Sequence, residues 1–344
     1  MLDDLKYIHE RDAQDALGIA EKQWQQLEHV FKLNWKPEQP IKNVVLAGMG
    51  GSALAGLLST TWPDYNVPFE IVRDYEIPSY VDESTLFIAS SYSGNTEETI
   101  SALAAAEKAN AQIIIMSSGG ILEDKAKSKN YPFELLPKAS QPRFGVFSSL
   151  KAYVTILEKA GLLTTASAEA ELHKTSAFLK HSALAWNPTV ATKDNPAKQL
   201  ALELMGKSIV VYGGPKLFPA AYKWKISFNE NAKNVAWCGA LPEFNHNEFI
   251  GWSSHPIDKQ YAVVELRSTL EHPRIQKRFE VGERLLSGLR PAPNIVNAEG
   301  ETILEQLLWS VMFGDFVSLY LALLNGINPT PVDLVEKFKK SLDV

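Results

Sequence analysis

The 344-residue sequence predicts an α/β protein made of two tandem units, each a mostly parallel sheet with helices on both faces. Two observations predict this class. Short apolar runs of β type alternate along the chain with runs of helical period. Apolar β runs separated by helical runs are expected of a parallel sheet covered on both faces. The order strand, Gly-Gly, helix occurs twice, at Gly50-Gly51 and at Gly213-Gly214. The expected division is residues 1–162 and 163–344.

The elements follow in order. Residues 12–33 read as one amphipathic helix, with Ala16, Ile19, Ala20, Trp24, Leu27 and Phe31 at three- and four-residue spacing. After a proline-containing linker, Asn43–Ala47 is a strand, followed by a glycine loop and a helix to about Thr60. Phe69–Asp74, Leu86–Ser90, Gln112–Ser117 and Tyr131–Leu136 are further strands. Helices are expected after Thr96, at Glu123–Lys129 and at Ser148–Ala160. Ala168–Ala185 and Pro196–Met205 are helices joining the halves. The second half repeats the order: strand Ser208–Tyr212, helix Phe218–Asn231, strand Asn234–Trp237, an irregular stretch 238–252, strand Tyr261–Leu266, helix Arg274–Ser287, strand Asn294–Asn297 and a long helix Thr302–Gly326. A Thr-Pro opening at Thr330-Pro331 caps a last helix that carries Lys337.

Composition narrows the function. The formal charge is −6, with no basic run or stripe, so neither nucleic acid nor a membrane surface is an expected partner. Cys238 is the single cysteine, which excludes an intramolecular disulfide and a multi-cysteine zinc site and fits a reducing cytoplasm. The first residues, MLDDLKYIHERDAQDALG, have no apolar signal core. The apolar stretch 307–327 is interrupted by Asp315 and Asn325, and is read as a buried helix. No His-Glu-x-x-His pattern or histidine/carboxylate cluster suggests a metal.

The most informative stretch is Leu86–Asn110. A strand ends in Ser91-Tyr92-Ser93-Gly94-Asn95-Thr96 and passes into an alanine-rich helix. Unbonded N–H groups and the positive dipole end at a helix start suit an anion. Ser91, Ser93 and Thr96 add hydroxyl donors, and Gly94 allows a tight turn. The loop Gly48-Met49-Gly50-Gly51-Ser52-Ala53 also fits a G-x-G-x-x-A dinucleotide fingerprint, with Asp74 near the place of a ribose-binding acid. However, Ser52 opens the helix toward the same space as the Ser91–Thr96 loop, and that loop has no part in a dinucleotide fingerprint. Together they predict a site for one small anion. Three further candidates stand elsewhere: Glu230 within Asn229-Glu230-Asn231-Ala232-Lys233, His246 within Asn245-His246-Asn247-Glu248, and Lys337.

Gly50-Gly51-Ser52, Ser91 to Thr99, Pro142-Arg143, the Asn229–Lys233 and Asn245–Glu248 motifs, and Thr330-Pro331 with Lys337 stand in this order along the chain. In that combination the sequence resembles the bifunctional phosphoglucose/phosphomannose isomerases of the sugar isomerase (SIS) superfamily, from Asn43 to Lys337. The resemblance implies two tandem SIS-type domains. It implies that Gly50, Gly51, Ser52, Ser91, Ser93 and Thr96 hold a sugar phosphate. It makes Glu230 the base that moves a proton between C2 and C1, and Arg143 the group that stabilises the enediolate. It gives His246 ring opening, from the partner subunit of a homodimer, and sets Lys337 and Thr330 over the ring-opening end. No cofactor and no metal are implied. Three alternatives remain: a non-catalytic sugar-phosphate sensor, an isomerase for another sugar phosphate, and a dehydrogenase resting on the Gly48-x-Gly50 loop.

Overall fold

A computed structural model describes residues 1–254 and 260–342. In chain order the helices and strands are α1 (Leu5–Arg11), α2 (Ala16–Glu21), β1 (Asn43–Ala47), α3 (Gly50–Ser59), β2 (Phe69–Val72), β3 (Thr85–Ser90), α4 (Glu97–Lys108), β4 (Gln112–Ser117), α5 (Gly120–Lys129), β5 (Phe133–Leu135), α6 (Val146–Lys159) and α7 (Ala168–Ala183). There follow α8 (Pro196–Leu204), β6 (Ser208–Gly213), α9 (Phe218–Glu230), β7 (Ala236–Ala240), α10 (Glu248–Gly251), β8 (Tyr261–Arg267), α11 (Pro273–Leu285), β9 (Asn294–Asn297), α12 (Ile303–Leu324) and α13 (Asp333–Leu342). The chain groups into two compact units, Gln23–Ala177 and Met1–Lys22 with Phe178–Val344. This differs from a division at 162/163, because the first residues belong with the C-terminal part and the change of unit falls within α7.

The N-terminal region departs from the single expected helix over 12–33. Asp12 accepts hydrogen bonds from the N–H groups of Ala16 (2.8 Å) and Leu17 (2.9 Å) and so starts α2 afresh. Asp15 sits in the left-handed region (φ 54°) and accepts from Gly18. Two aspartates within one turn of each other bond the backbone locally and break the helix. The apolar spacing survives because both sides of the break supply buried residues.

In the 23–177 unit, five parallel strands take the order β2-β1-β3-β4-β5. Val44, Val45, Leu86, Phe87, Ile88, Ile114 and Ile115 are fully buried, which explains why these runs do not alternate. One core cluster covers Val44, Leu46, Ile88 and Met116, and another covers Val45, Phe87 and Ile115, one on each face of the sheet. From β1 the chain steps to β2 on one side, and β3 lies on the other. The carboxyl ends of β1 and β3 therefore flank a switch point, where ligands of open α/β sheets bind.

In the other unit the order is β7-β6-β8-β9, again all parallel. Its switch point lies between β6 and β8. Helix α12 is long and apolar enough to cross a membrane, yet its apolar span is wholly buried. One polar cluster interrupts that core. Lys223 on α9 and Asp315 on α12 form an ion pair, each 1 % exposed, and Ser227 donates to the same Asp315 oxygen at 2.7 Å. Asn231, one turn farther along α9, donates to Ser318 at 2.9 Å. Residues 223, 227 and 231 share one stripe of α9, so this network sets its register against α12.

The pair makes a stability prediction. Asp315→Ala leaves a buried ammonium without its counter-charge, and urea unfolding should show a loss of about 3–5 kcal/mol. Lys223→Met with Asp315→Leu together should lose much less. A loss near zero for Asp315→Ala would show that the pair does not hold α9 in register.

Candidate functional site

The hydroxyl loops of the 23–177 unit converge as the sequence suggests. Ser52, in the first turn of α3, accepts through Oγ a hydrogen bond from the Tyr92 N–H at 2.9 Å. The loop after β1 thus meets the loop after β3 at the switch point. Ser91 and Thr96 lie with their hydroxyl oxygens 2.7 Å apart. Thr96 is the N-cap residue of α4, yet its side chain makes no cap bond with that helix. An ordinary cap would spend the hydroxyl on its own N–H groups. Here it turns to Ser91. Ser91 also accepts from the Gly94 N–H at 3.2 Å. Ser93 is exposed, and its Oγ accepts from Asn95 at 3.3 Å.

Glycine is required in this loop for two reasons. Gly94 has φ +72°, and a Cβ there would overlap the Gly119 carbonyl oxygen. The loop after β4 therefore braces the loop after β3, backbone against backbone. Ser118 donates from its N–H (3.0 Å) and its Oγ (2.7 Å) to the Tyr92 carbonyl, and Leu122 donates to the Gly94 carbonyl.

Arg143 lies in a single 3-10 turn, Pro142–Phe144, and is 1 % exposed. Three contacts fix that turn. A Cβ on Gly51 would sit 3.0–3.2 Å from Pro142 and Arg143, so the start of α3 packs directly on it. Gln26 donates to the Phe144 carbonyl at 2.6 Å. The Tyr92 hydroxyl bonds the Ala139 backbone just upstream. Tyr92 therefore ties the hydroxyl loop to the arginine turn. Sequence reasoning gave it no role, although its place between two serines of the loop was a usable signal.

The corresponding switch point of the other unit is filled from within. Gly213-Gly214 ends β6, and a Cβ on Gly214 would overlap the Glu271 carboxylate. That carboxylate, from the loop after β8, accepts from the Lys216 N–H at 2.7 Å. Burial pushes its carboxyl above the usual range, against the pull of the backbone N–H groups that bond it. The second glycine loop thus receives a carboxyl group of its own chain.

Glu230 is the last residue of α9 and is half-buried. Its neighbours act as scaffold. Asn229 donates to the Asn234 carbonyl at 2.9 Å, and Asn231 to Ser318. Lys233 donates to the carbonyl of Glu230 (2.9 Å) and to those of Asn328 (3.1 Å) and Pro329 (3.0 Å). Asn325 donates to the Ala232 carbonyl at 3.2 Å. The segment that carries Thr330, itself 5 % exposed, is thereby laced to the end of α9.

His246 is exposed at the end of a 3-10 turn, Glu243–His246. Phe244 is buried, with its ring centroid 4.6 Å from that of Tyr212. The Tyr212 hydroxyl donates to Glu248, and Trp252 donates to Tyr212 at 3.3 Å. Arg290, paired with Glu265 at 2.6 Å, places its guanidinium within 6.0 Å of the Tyr212, Phe244 and Trp252 rings. This cage anchors the segment and leaves the imidazole outward. Lys337 lies on α13 and is also exposed. Among the described residues, no hydrogen bond or ion pair joins His246 or Lys337 to Glu230 or Thr330. Nor do three His, Cys, Asp or Glu side chains gather as a metal site among those residues.

Residues 193–342 match the family model of the bacterial phospho-glucose isomerase C-terminal SIS domain. A bifunctional phosphoglucose/phosphomannose isomerase of Caldicellulosiruptor bescii is 34% identical over 91% of this chain and 92% of its own length. The chain belongs to the bifunctional phosphoglucose/phosphomannose isomerase family. A D-glucosamine-6-phosphate 4-epimerase of Sulfolobus acidocaldarius is 33% identical over 65% of this chain and 68% of its own. Among solved structures, a glucose-6-phosphate isomerase like protein of Thermus thermophilus superposes with a TM-score of 0.67 over 98% of each chain, at 18% identity, a likeness of fold. The two parallel sheets with flanking helices are two tandem SIS-type domains.

The buried Glu271 carboxyl gives a pH test. Its folded pKa is raised, so its contribution to stability is complete below its unfolded pKa and is lost as pH rises through the folded value. Glu271→Gln removes that titration. As pH rises above about 4, the ordinary glutamate range, thermal unfolding should show wild type losing ground to Glu271→Gln. A constant gap would mean that Glu271 titrates normally.

Proposed function

We propose that this isomerase interconverts glucose 6-phosphate and mannose 6-phosphate with fructose 6-phosphate through an enediol, without a metal. The observation that carries the reading is the hydroxyl cradle at the switch point, where Ser52, Ser91 and Thr96 meet two helix starts in a chain of this family. Such a cradle suits a phosphate dianion. Gly50 and Gly51 let the backbone come close, and Ser93 adds a donor at the rim.

In this reading Glu230 removes the proton at C2 of the open-chain aldose and returns it to C1. The electron pair of the C2–H bond forms the C1–C2 double bond, and the carbonyl oxygen takes up the negative charge. Arg143 stabilises that charge. Its burial favours the role, because a guanidinium held away from water acts more strongly on developing charge. The proton changes carbon within one substrate, so no redox cofactor enters. His246 and Lys337 serve ring opening, with Thr330 beside them. An imidazole suits a proton that must travel both ways. The same reading makes the protein a cytoplasmic homodimer in which His246 acts in the partner's site. The outward imidazole on an anchored segment supports this.

A second reading, action on another sugar phosphate, is favoured by the relative named for D-glucosamine-6-phosphate epimerisation. Both are tested by one comparison. Glu230→Gln should lower turnover of fructose 6-phosphate by about 10²–10⁴ while changing KM little, since the phosphate end stays anchored. Turnover within tenfold of wild type would remove Glu230 as the base. Turnover of glucosamine 6-phosphate in place of fructose 6-phosphate would favour the second reading.

A further inference from the structure

The structure assigns Lys233 a positioning role: its ammonium fixes the Glu230 end of α9 against the Asn328–Thr330 segment. This inference rests on the reading of Glu230 as the base. Three observations carry it.

Lys233 has φ +50°, in the left-handed region, two residues after Asn231, the cap of α9. Glycine is the residue that usually ends a helix in this conformation, since any other side chain is strained there. Here a lysine takes this conformation, and its side chain is engaged with the backbone around it. An ammonium has three donors and no acceptor. Three backbone carbonyls lie within 3.1 Å of it, those of Glu230, Asn328 and Pro329. The Asn231 carbonyl lies farther away, at 3.5 Å. A cation beside the last carbonyls of a helix also offsets its negative dipole end.

The acceptors also decide the role. One is the carbonyl of Glu230 itself, and the other two immediately precede Thr330. The same ammonium therefore sets where the Glu230 side chain leaves the helix and where Thr330 begins. Asn325 bonds the adjacent Ala232 carbonyl, but through a rigid amide farther from Glu230. Lys233 touches neither substrate nor reacting atoms in this scheme. It acts through Glu230, and a base displaced by about 1 Å loses on the order of 10²-fold in rate.

The test uses the full chain in two variants, Lys233→Gly and Lys233→Arg, with Glu230→Gln alongside. Glycine tolerates φ +50°, so Lys233→Gly removes the clamp without straining the backbone. Its melting temperature should match or exceed that of wild type, while kcat for fructose 6-phosphate falls about 10- to 100-fold with KM within about twofold. Lys233→Arg keeps a cation with enough donors and should recover at least about threefold over Lys233→Gly. The inference is overturned by kcat of Lys233→Gly within about threefold of wild type. It is also overturned by Lys233→Arg being no better than Lys233→Gly, or by a kcat loss matched by a lower melting temperature and a higher KM. An active Glu230→Gln would instead remove the base assignment on which the inference stands, and is read separately from the Lys233 ratio.

Discussion

The hydroxyl loops of this enzyme depend on one backbone contact. At Gly94 the chain turns with positive φ and passes so close to the Gly119 carbonyl that a β-carbon has no room. This contact presses the loop after β3 onto the loop after β4. With the loop so braced, Tyr92 presents its N–H to Ser52 and its hydroxyl to Ala139. Thr96 then aims at Ser91 and makes no cap bond with its own helix. The parallel register of β1, β3 and β4 sets these loops at one edge of the sheet, and the glycine contact fixes their height above it.

The two units share a topology and differ in what fills the switch point. Both place a glycine turn at the switch point of a parallel sheet. In one, hydroxyls and helix starts meet there. In the other, the Glu271 carboxyl fills the place from within and closes the turn. In that unit Glu230 stands at the end of α9, and His246 lies on a segment pinned by Phe244, Trp252 and the Arg290 cage. The buried Lys223–Asp315 pair carries rigidity along α9 to its last turn, where Glu230 stands.

Much of this was legible in the sequence because its signals are local. Apolar Val/Ile runs gave the strands, and the Ser91–Thr96 loop gave the hydroxyls that meet Ser52 at the switch point. The Asn229–Lys233 and Asn245–Glu248 motifs gave the family. What was hidden depends on contacts distant along the chain. Periodicity over 12–33 looked continuous because Asp12 and Asp15 break the helix without altering which side chains are buried. Glu271 gave no sign that it fills the Gly213-Gly214 turn, since its partner Lys216 lies more than fifty residues away. Lys233 read as the tail of a motif, and its bonds to Asn328 and Pro329 could not be seen from its neighbours.

The central claim is proton transfer at C2 of a sugar phosphate anchored by the hydroxyl cradle. The most direct measurement is proton NMR of glucose 6-phosphate turned over by the protein in deuterated water. The account predicts fructose 6-phosphate and mannose 6-phosphate as products, with deuterium appearing at C2 of the mannose 6-phosphate and of the recovered glucose 6-phosphate, because the enediol exchanges its proton with solvent. Complete retention of protium, as in a hydride shift, or no product at all, would contradict it.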